Sequence, residues 1–365
     1  MSLKYAIKTC MLIMLLVILI LLCAVGLPYI RPVMMAFFIE EELSEEINYI
    51  VQRRSQAILT EDVETLKNLY DLNIRASQWA FEHELRKMKY LQKWSKKQGV
   101  KFVGIQPNVM IRRSSVKEEG YSLNLTISTK YDYIYENEEV INSFRIGTHH
   151  SIEIEKREEG WVILREWYTD PFADSLHLDD IKTESIKEFI LSQEFRDLSN
   201  IGDRRLNALK YADEFSGAAG EVNRGYNKKY INYNPKGGDC ANYASQILYE
   251  GGRFKKNSIW NYDKGGSSAW VNAQAFKNYM INSGRASLVA YGDYNKVYKA
   301  SYKLLPGDFV AYEKKGKITH ISVITGADSK GYSLVNSHNT DRYRVPWDLG
   351  WSNKGIKFWL VHVHF

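Results

Sequence analysis

The chain has 365 residues, of which 45% are hydrophobic and 25% charged, a composition typical of globular proteins. Its formal net charge of +6 is small for this length, so the composition argues against a nucleic-acid-binding protein and we expect no nucleic-acid partner. The length favours two domains.

The first segment of the chain is strongly apolar. Residues 10–27 carry no charge and follow Lys4 and Lys8. A helix of this length spans a bilayer core, and the lysines favour the inner side. Small residues before position 27 also suit cleavage of a signal peptide. We therefore predict that residues 1–30 are a membrane anchor or a signal segment. The catalytic part is then either held at the cell membrane, facing outwards, or secreted.

The next part of the chain changes from helical to strand-like patterning. Apolar residues recur at helical spacing between residues 43 and 91, and the period changes to two from Tyr121 onwards. We predict a helical linker at residues 31–54 and an α+β accessory domain at residues 55–175. This arrangement resembles the cone-shaped nuclear-transport-factor-like fold.

A glycine-bounded stretch, residues 237–252, dominates the second half of the chain. Asp239 is a good helix N-cap, and a glycine at the far end can take a left-handed conformation. Cys240 then lies in the first turn of a helix, where the helix dipole favours thiolate over thiol. The apolar face of this helix, which includes Ile247, predicts that the helix packs against a sheet.

Cysteine usage supports a chemical role for this thiol. Cys10 and Cys23 both lie in the apolar amino-terminal run, so Cys240 has no disulfide partner in the remaining chain. The alternative is that Cys240 is a small buried hydrophobic residue, which is the usual environment of a free cysteine. We interpret it as a nucleophile.

A histidine that follows in a predicted hairpin can supply the base. His320 lies in the strand 317–326, whose partner strand includes Asn336 and His338. Folding the hairpin about Ser329 places His338 nearly opposite His320, with Asn336 on the diagonal. Cysteine, histidine and a polar third residue form a known catalytic arrangement. The alternative for His320 is a core histidine bonded to a backbone carbonyl.

The remaining histidines and aromatic residues have simpler interpretations. His149 and His150 point to opposite faces of a strand, so they cannot share a metal. His362 and His364 share a face at the chain end, where a solvated strand is more typical than a metal site. We predict no metal and no cofactor. Four aromatic residues in long loops can hold sugar rings or pack in the core: Trp260, Trp270, Tyr262 and Tyr291.

Several blocks together carry a resemblance to a known family. They are Tyr226 to Tyr233, Gly238 to Gln246, Gly251-Gly252, Trp270, Pro306 to Asp308, His320 and Ser337 to Asp341. With them, residues 200–365 resemble the amidase domain family of Gram-positive spore-formers, which is similar to the papain-like NlpC and CHAP amidohydrolases. The resemblance implies a helix packed on an antiparallel sheet, with Cys240 as nucleophile and His320 as base. It leaves the third residue open between His338 and Asn336.

These observations predict the organisation and function of the chain. After a linker at residues 176–203, residues 204–365 form a papain-like amidase domain of the α+β class. We expect a cysteine amidohydrolase that cuts an amide bond in peptidoglycan or a wall peptide, while acyl transfer to an amine would use the same residues. The alternative is a non-catalytic cell-envelope protein that binds the wall or a partner during sporulation or wall assembly. The two interpretations differ in the reactivity that they require of Cys240.

Overall fold

The chain divides into two compact units, Met1–Ile50 and Val51–Phe365. The structure is a computed structural model that describes residues 43–158, 160–174, 183–220, 225–351 and 355–365. In the first unit the described residues, 43–50, are helical. Both predicted domains lie in the second unit.

Helices followed by long antiparallel strands form the amino-terminal part of the second unit. Asp62 caps the second helix by accepting a hydrogen bond from the Thr65 N–H, and Gly99 ends the third helix with φ 68°. The elements are α1 (51–60), α2 (Val63–Lys67), α3 (Arg75–Gln98), β1 (Val100–Val116), β2 (Gly120–Tyr135), β3 (Asn142–Arg157) and β4 (Gly160–Trp167).

Shorter helices and strands form the carboxy-terminal part. The helices are α4 (Thr183–Leu191), α5 (Asp203–Glu214), α6 (Cys240–Gln246), α7 (Ser268–Val271), α8 (Ala273–Asn282) and α9 (Tyr294–Val297). The strands are β5 (Ala286–Gly292), β6 (Phe309–Lys314), β7 (Lys317–Ala327), β8 (Ser333–Ser337), β9 (Asp341–Pro346) and β10 (Ile356–Val363). β6 and β7 form a hairpin in which Lys314 pairs with Lys317.

One antiparallel sheet runs through both parts. Its strand order is β1-β2-β3-β9-β8-β7-β6-β10-β5, and β4 also pairs with β3. The two parts join where β3 pairs with β9, with Gly147 opposite Asp341. A side chain at Gly147 would lie 2.4 Å from the backbone of Ala218, so glycine permits this close approach. The predicted accessory and amidase domains therefore share a continuous scaffold.

The core of the carboxy-terminal part lies between α6 and the sheet. The apolar side chains of α6 are buried and pack against those of β6 and β7, as the amphipathic pattern predicts. The cluster includes Ala241, Ala244, Ile247, Leu248, Phe309, Ala311, Ile321 and Val323. This packing fixes the helix that carries Cys240 against the strand that carries His320.

A buried charge network lies in the amino-terminal part. The guanidinium of Arg54 binds one carboxylate oxygen of Glu166, and Nδ1 of His150 lies 2.7 Å from the other. The second ring nitrogen of His150 lies 2.7 Å from the hydroxyl of Thr148. Burial alone would raise the pKa of Glu166, but Arg54 and His150 hold it at about 2. These contacts explain why His150 is structural.

The predicted fold class and localisation need one correction. In the part of the chain that the structure describes, no helix is long and apolar enough to cross a bilayer. The predicted membrane helix, residues 10–27, lies outside the described residues. The fold is α+β with a large antiparallel sheet, and the predicted position at the membrane or outside the cell is not supported.

Candidate active site

The helix that begins at Cys240 is shorter and more deeply buried than predicted. Seven residues are α-helical, and residues 247–251 continue as a wider π-helical turn. The predicted left-handed glycine end is wrong, because Gly252 has φ −76°. Gly251 is required instead for packing, since a side chain there would lie 2.5 Å from the Cα of Ala208 in α5.

Asp239 precedes this helix but does not cap it. Its carboxylate accepts no hydrogen bond from the backbone N–H groups of the first helical turn. One carboxylate oxygen accepts from the Tyr233 N–H at 2.9 Å and from the Asn242 side chain at 2.8 Å. The other oxygen lies 2.6 Å from Nδ1 of His338. The carboxylate therefore ties the helix start to the preceding loop and to a histidine from the sheet.

The sulfur of Cys240 is buried and its thiol is neutral. The residue is 6% exposed, and the backbone N–H groups of Ile321 and Ala241 hydrogen-bond to the sulfur. Burial raises the pKa of the thiol to about 11, and the nearby charge of Asp239 acts in the same direction. The N–H groups lower the pKa but do not offset the loss of solvent. The predicted thiolate is therefore wrong for this conformation.

His320 lies in β7 with its ring between aromatic side chains. Its ring centroid is 5.5 Å from that of Tyr312 and 5.1 Å from that of Trp351. Among the described residues, Nε2 of His320 has no hydrogen-bond partner although it is buried. Burial, followed by the charge of Arg342, lowers the pKa of His320 well below its usual range. The imidazole is consequently neutral, and its Nε2 can accept a hydrogen bond.

The two predicted catalytic groups meet at the backbone of β7. Ile321 packs in the cluster beneath α6, and adjacent residues of a strand point to opposite faces. His320 therefore lies on the opposite face of β7 from Ile321, with its ring beside Tyr312 and Trp351. The thiol of Cys240 reaches the N–H of the residue that follows His320.

The register of the β7–β8 hairpin explains why the third residue differs from expectation. Val323 pairs with Asn336 and Ile324 with Val335, so the hairpin is centred between Ser329 and Lys330. The prediction centred it on Ser329. A shift of one residue in pairing reverses which side chains share a face. Asn336 therefore lies on the α6 side of the sheet, opposite to the face of His320.

Neither candidate for the third residue supports His320 in this structure. His338 binds Asp239 through Nδ1, and its Nε2 lies 2.7 Å from the carbonyl oxygen of Phe215. The side-chain amide of Asn336 donates to the carbonyl of Ala212 at 3.2 Å, and its oxygen accepts from Thr325 at 2.9 Å. Both side chains fasten the sheet to α5 and to the loop before α6.

The sequence interpretation missed the residues that surround His338. The ring stacks between Tyr226 and Tyr243, with centroid distances of 3.7 and 3.8 Å. The carboxylate of Asp341 accepts from the Ala218 N–H at 2.7 Å and from the Tyr226 hydroxyl at 2.5 Å. The one available signal was the polar run from Ser337 to Asp341, which fits a turn but does not reveal these contacts.

The aromatic residues predicted to hold sugar rings separate into two groups. Trp260 and Trp270 are fully buried, and their indole N–H groups donate to Ser245 and Asn242 of α6. Both tryptophans therefore pack in the core, which was the alternative use given for these residues. Tyr262 is half-buried and accepts a hydrogen bond from the Ile231 N–H at 2.6 Å, while Tyr291 is 39% exposed.

The histidines at the end of the chain have protein partners. Nδ1 of His362 lies 3.0 Å from Asp308, and Nδ1 of His364 lies 2.9 Å from the carbonyl oxygen of Gly284. Within the described ranges, no group of three or more histidine, cysteine, aspartate or glutamate side chains is arranged to hold a metal ion.

Comparisons with known proteins agree with the predicted family. Residues 202–361 match a family model described as "Putative amidase domain". "Uncharacterized protein YjcM" of Bacillus subtilis (strain 168) is 32% identical over 167 residues, which are 43% of this chain and 36% of that protein. The chain thus spans about a third of this relative's length. A solved variant of "Rd1NTF2_05" is 13% identical over 36% of this chain and 99% of its own, and its TM-score of 0.21 supports no conclusion.

Proposed function

We propose that the amidase-family domain at residues 202–361 hydrolyses an amide bond, with Cys240 as nucleophile and His320 as general base. The observation that carries the proposal is the position of Cys240. It is the free thiol of the described residues, it begins a helix, and its sulfur binds the backbone next to His320. Amide hydrolysis by a cysteine requires a nearby base, and histidine suits both proton transfers.

The burial of both groups favours a mechanism without a preformed ion pair. A thiol with a pKa of about 11 and an imidazole with a lowered pKa are both neutral near pH 7. The proton of Cys240 then moves to His320 only as the sulfur bonds to the substrate carbonyl carbon. The imidazolium returns this proton to the leaving amine. Water next adds to the thioester, and the acid departs as the thiol re-forms.

Approach of the substrate has to bring the two side chains together. In free enzymes the catalytic hydrogen bonds are often long and shorten only in the complex with substrate. The unpartnered Nε2 of His320 is available for such a contact, since no other group of the described structure occupies it. In this mechanism the N–H groups of Ala241 and Ile321, which hydrogen-bond to the sulfur, stabilise the oxyanion on the attacked carbonyl.

The substrate class that we propose is a peptide amide, with peptidoglycan and its soluble peptides as the first substrates to test. The test incubates the purified full chain with these substrates and identifies new amino and carboxyl termini by mass spectrometry. Release by the wild type and its loss in Cys240→Ala, with an unchanged circular dichroism spectrum, is the expected result. Equal release by both proteins would overturn the proposal.

A non-catalytic binding role is the second candidate, and the buried neutral thiol favours it. One experiment distinguishes the two functions. If neither protein cuts any of the amides but both bind the same wall peptide with equal affinity, the binding role is correct. Activity that is lost in His320→Leu and kept in His149→Leu would assign His320 as the base.

A further inference from the structure

We propose that His338 is a buried imidazolium whose charge neutralises Asp239 and so positions the turn that carries Cys240. His338 is a positioning residue here, since it does not touch the proposed reacting atoms. The inference deepens the proposed function and rests on it only for its consequence. The protonation state of the ring can be tested without any enzymatic activity.

The hydrogen bonds of the ring require two donors. Nδ1 of His338 lies 2.6 Å from a carboxylate oxygen of Asp239, and Nε2 lies 2.7 Å from the carbonyl oxygen of Phe215. A carbonyl oxygen only accepts hydrogen bonds, and so does an ionised carboxylate. A neutral imidazole has one donor and one acceptor nitrogen, whereas an imidazolium donates from both.

The alternative is a protonated Asp239 that donates to a neutral His338. The contacts of Asp239 argue against it. The second carboxylate oxygen accepts two hydrogen bonds, from the backbone N–H of Tyr233 and the side-chain amide of Asn242. Hydrogen bonds to the ionised form stabilise that form. An aspartate also ionises at a much lower pH than an imidazolium.

The surroundings of the ring suit a cation. Tyr226 and Tyr243 lie parallel to it on its two faces, at centroid distances of 3.7 and 3.8 Å. Aromatic faces attract cations, most strongly where water is excluded. The residue is fully buried, as is Asp239 beside it. The ion pair is therefore shielded from salt and solvent.

The other titratable groups near the ring come from three elements. Asp341 of β9 binds the hydroxyl of Tyr226, and its pKa is raised by burial although the charge of His338 opposes the rise. Asp213 of α5 lies near Tyr243 and pairs with Arg344. His149 of β3 also acts electrostatically on Asp341 and opposes the rise in its pKa. A positive charge on His338 therefore balances the negative charges of the carboxylates around it.

The consequence for Cys240 is electrostatic. An uncompensated charge on Asp239 would lie one residue from the sulfur and would oppose formation of a thiolate. The imidazolium reduces this effect. Removal of His338 should therefore make the thiol harder to ionise. Further removal of the charge of Asp239 should reverse that change.

The first test measures the ring nitrogens by ¹⁵N NMR of histidine-labelled full-length protein between pH 6 and pH 8.5. The signals of His338 are assigned by their loss in His338→Gln or, if that variant does not fold, by their shift in Tyr226→Phe. Both nitrogens should carry a proton at pH 7, because both contact acceptors. A neutral tautomer at pH 7 would overturn the inference, even if the protein hydrolyses amides.

The second test compares the pH dependence of iodoacetamide alkylation of Cys240 in four proteins. They are the wild type, His338→Gln, Asp239→Asn and the double variant. We expect His338→Gln to shift the profile upwards by about one pH unit, and the double variant to return it to the wild-type position or below. If the double variant reacts as slowly as His338→Gln, the histidine acts only by packing and the electrostatic role is wrong. Alkylation does not depend on hydrolysis, so failure of this inference is distinguishable from failure of the proposed function.

Discussion

Two buried histidines of this protein differ in the hydrogen bonding of their ring nitrogens. His150, in the amino-terminal part, has a partner on each ring nitrogen and shares Glu166 with Arg54. His320, in the carboxy-terminal part, is equally buried, but its Nε2 has no partner among the described residues. A satisfied network stabilises a fold, whereas an unsatisfied buried group costs stability and is often kept for function. The difference separates a structural histidine from a candidate catalytic one.

The largest expected effect is on activity. His320→Leu removes the proposed base, so hydrolysis of a peptide amide should fall by a factor of about 10²–10⁴. The exposed His149, changed in the same way, provides the control and should leave the rate unchanged. Turnover is measured at equal concentrations of folded protein. A His320→Leu protein that retains the wild-type rate would show that His320 is not the base.

The next effect is on the stability of the buried network. Arg54→Met leaves Glu166 buried without its guanidinium partner, which should cost about 3–5 kcal/mol of unfolding free energy. Arg157 forms ion pairs too, but its side chain is 47% exposed. Arg157→Met should therefore change stability by less than about 1 kcal/mol. Chemical denaturation of both variants measures their unfolding free energies. Equal losses of stability would contradict the claim that the buried ion pair stabilises the fold more than the exposed one.

A third experiment makes the same substitution in both regions. His150→Leu removes two hydrogen bonds and leaves buried partners unsatisfied, so it should destabilise the protein by about 2–4 kcal/mol. His320→Leu removes a ring with an unpartnered nitrogen and should cost less than about 1 kcal/mol. The difference in denaturation midpoint between the two variants measures the difference between these two costs. Equal costs would mean that His320 has structural partners that its surroundings do not show.

The smallest effect concerns the pH dependence of the buried thiol. The pKa of Cys240 is about 11 in the folded protein and 9.0 is its ordinary value, so the folded state holds the proton more tightly. The resulting stabilisation is complete below pH 9 and is lost as the pH rises towards the folded pKa. Between pH 8 and pH 10 the wild type should therefore lose about 1 kcal/mol relative to Cys240→Ser. A constant difference over this range would show that the thiol is not buried in solution.

Local patterns in the sequence predicted much of the scaffold. Alternating residues indicated the long strands around Tyr121 and the hairpin that contains His320, and the spacing of Ala241, Ala244 and Ile247 indicated a helix packed on a sheet. These features depend on periodicity, which a single sequence carries. The match of residues 202–361 to a family model described as "Putative amidase domain" agrees with the predicted resemblance.

Other features depend on pairing between distant residues and were not predictable. The joint between β3 and β9 unites segments that are almost two hundred residues apart, and no local pattern encodes it. The pairing of β7 with β8 differed from expectation by one residue, which was enough to move Asn336 to the other face. The burial that raises the pKa of Cys240 arises from α6, β7 and the loops together.

The most direct test of the account is to trap the covalent intermediate on Cys240. The purified chain is mixed with a p-nitrophenyl ester of an N-acyl amino acid, quenched in acid, and digested for peptide mass spectrometry. The account predicts a thioester adduct on the peptide that contains Cys240, its release by hydroxylamine, and its absence in Cys240→Ala. Turnover of the ester without an adduct on Cys240, at the same rate in the wild type and in Cys240→Ala, would contradict the proposed nucleophile.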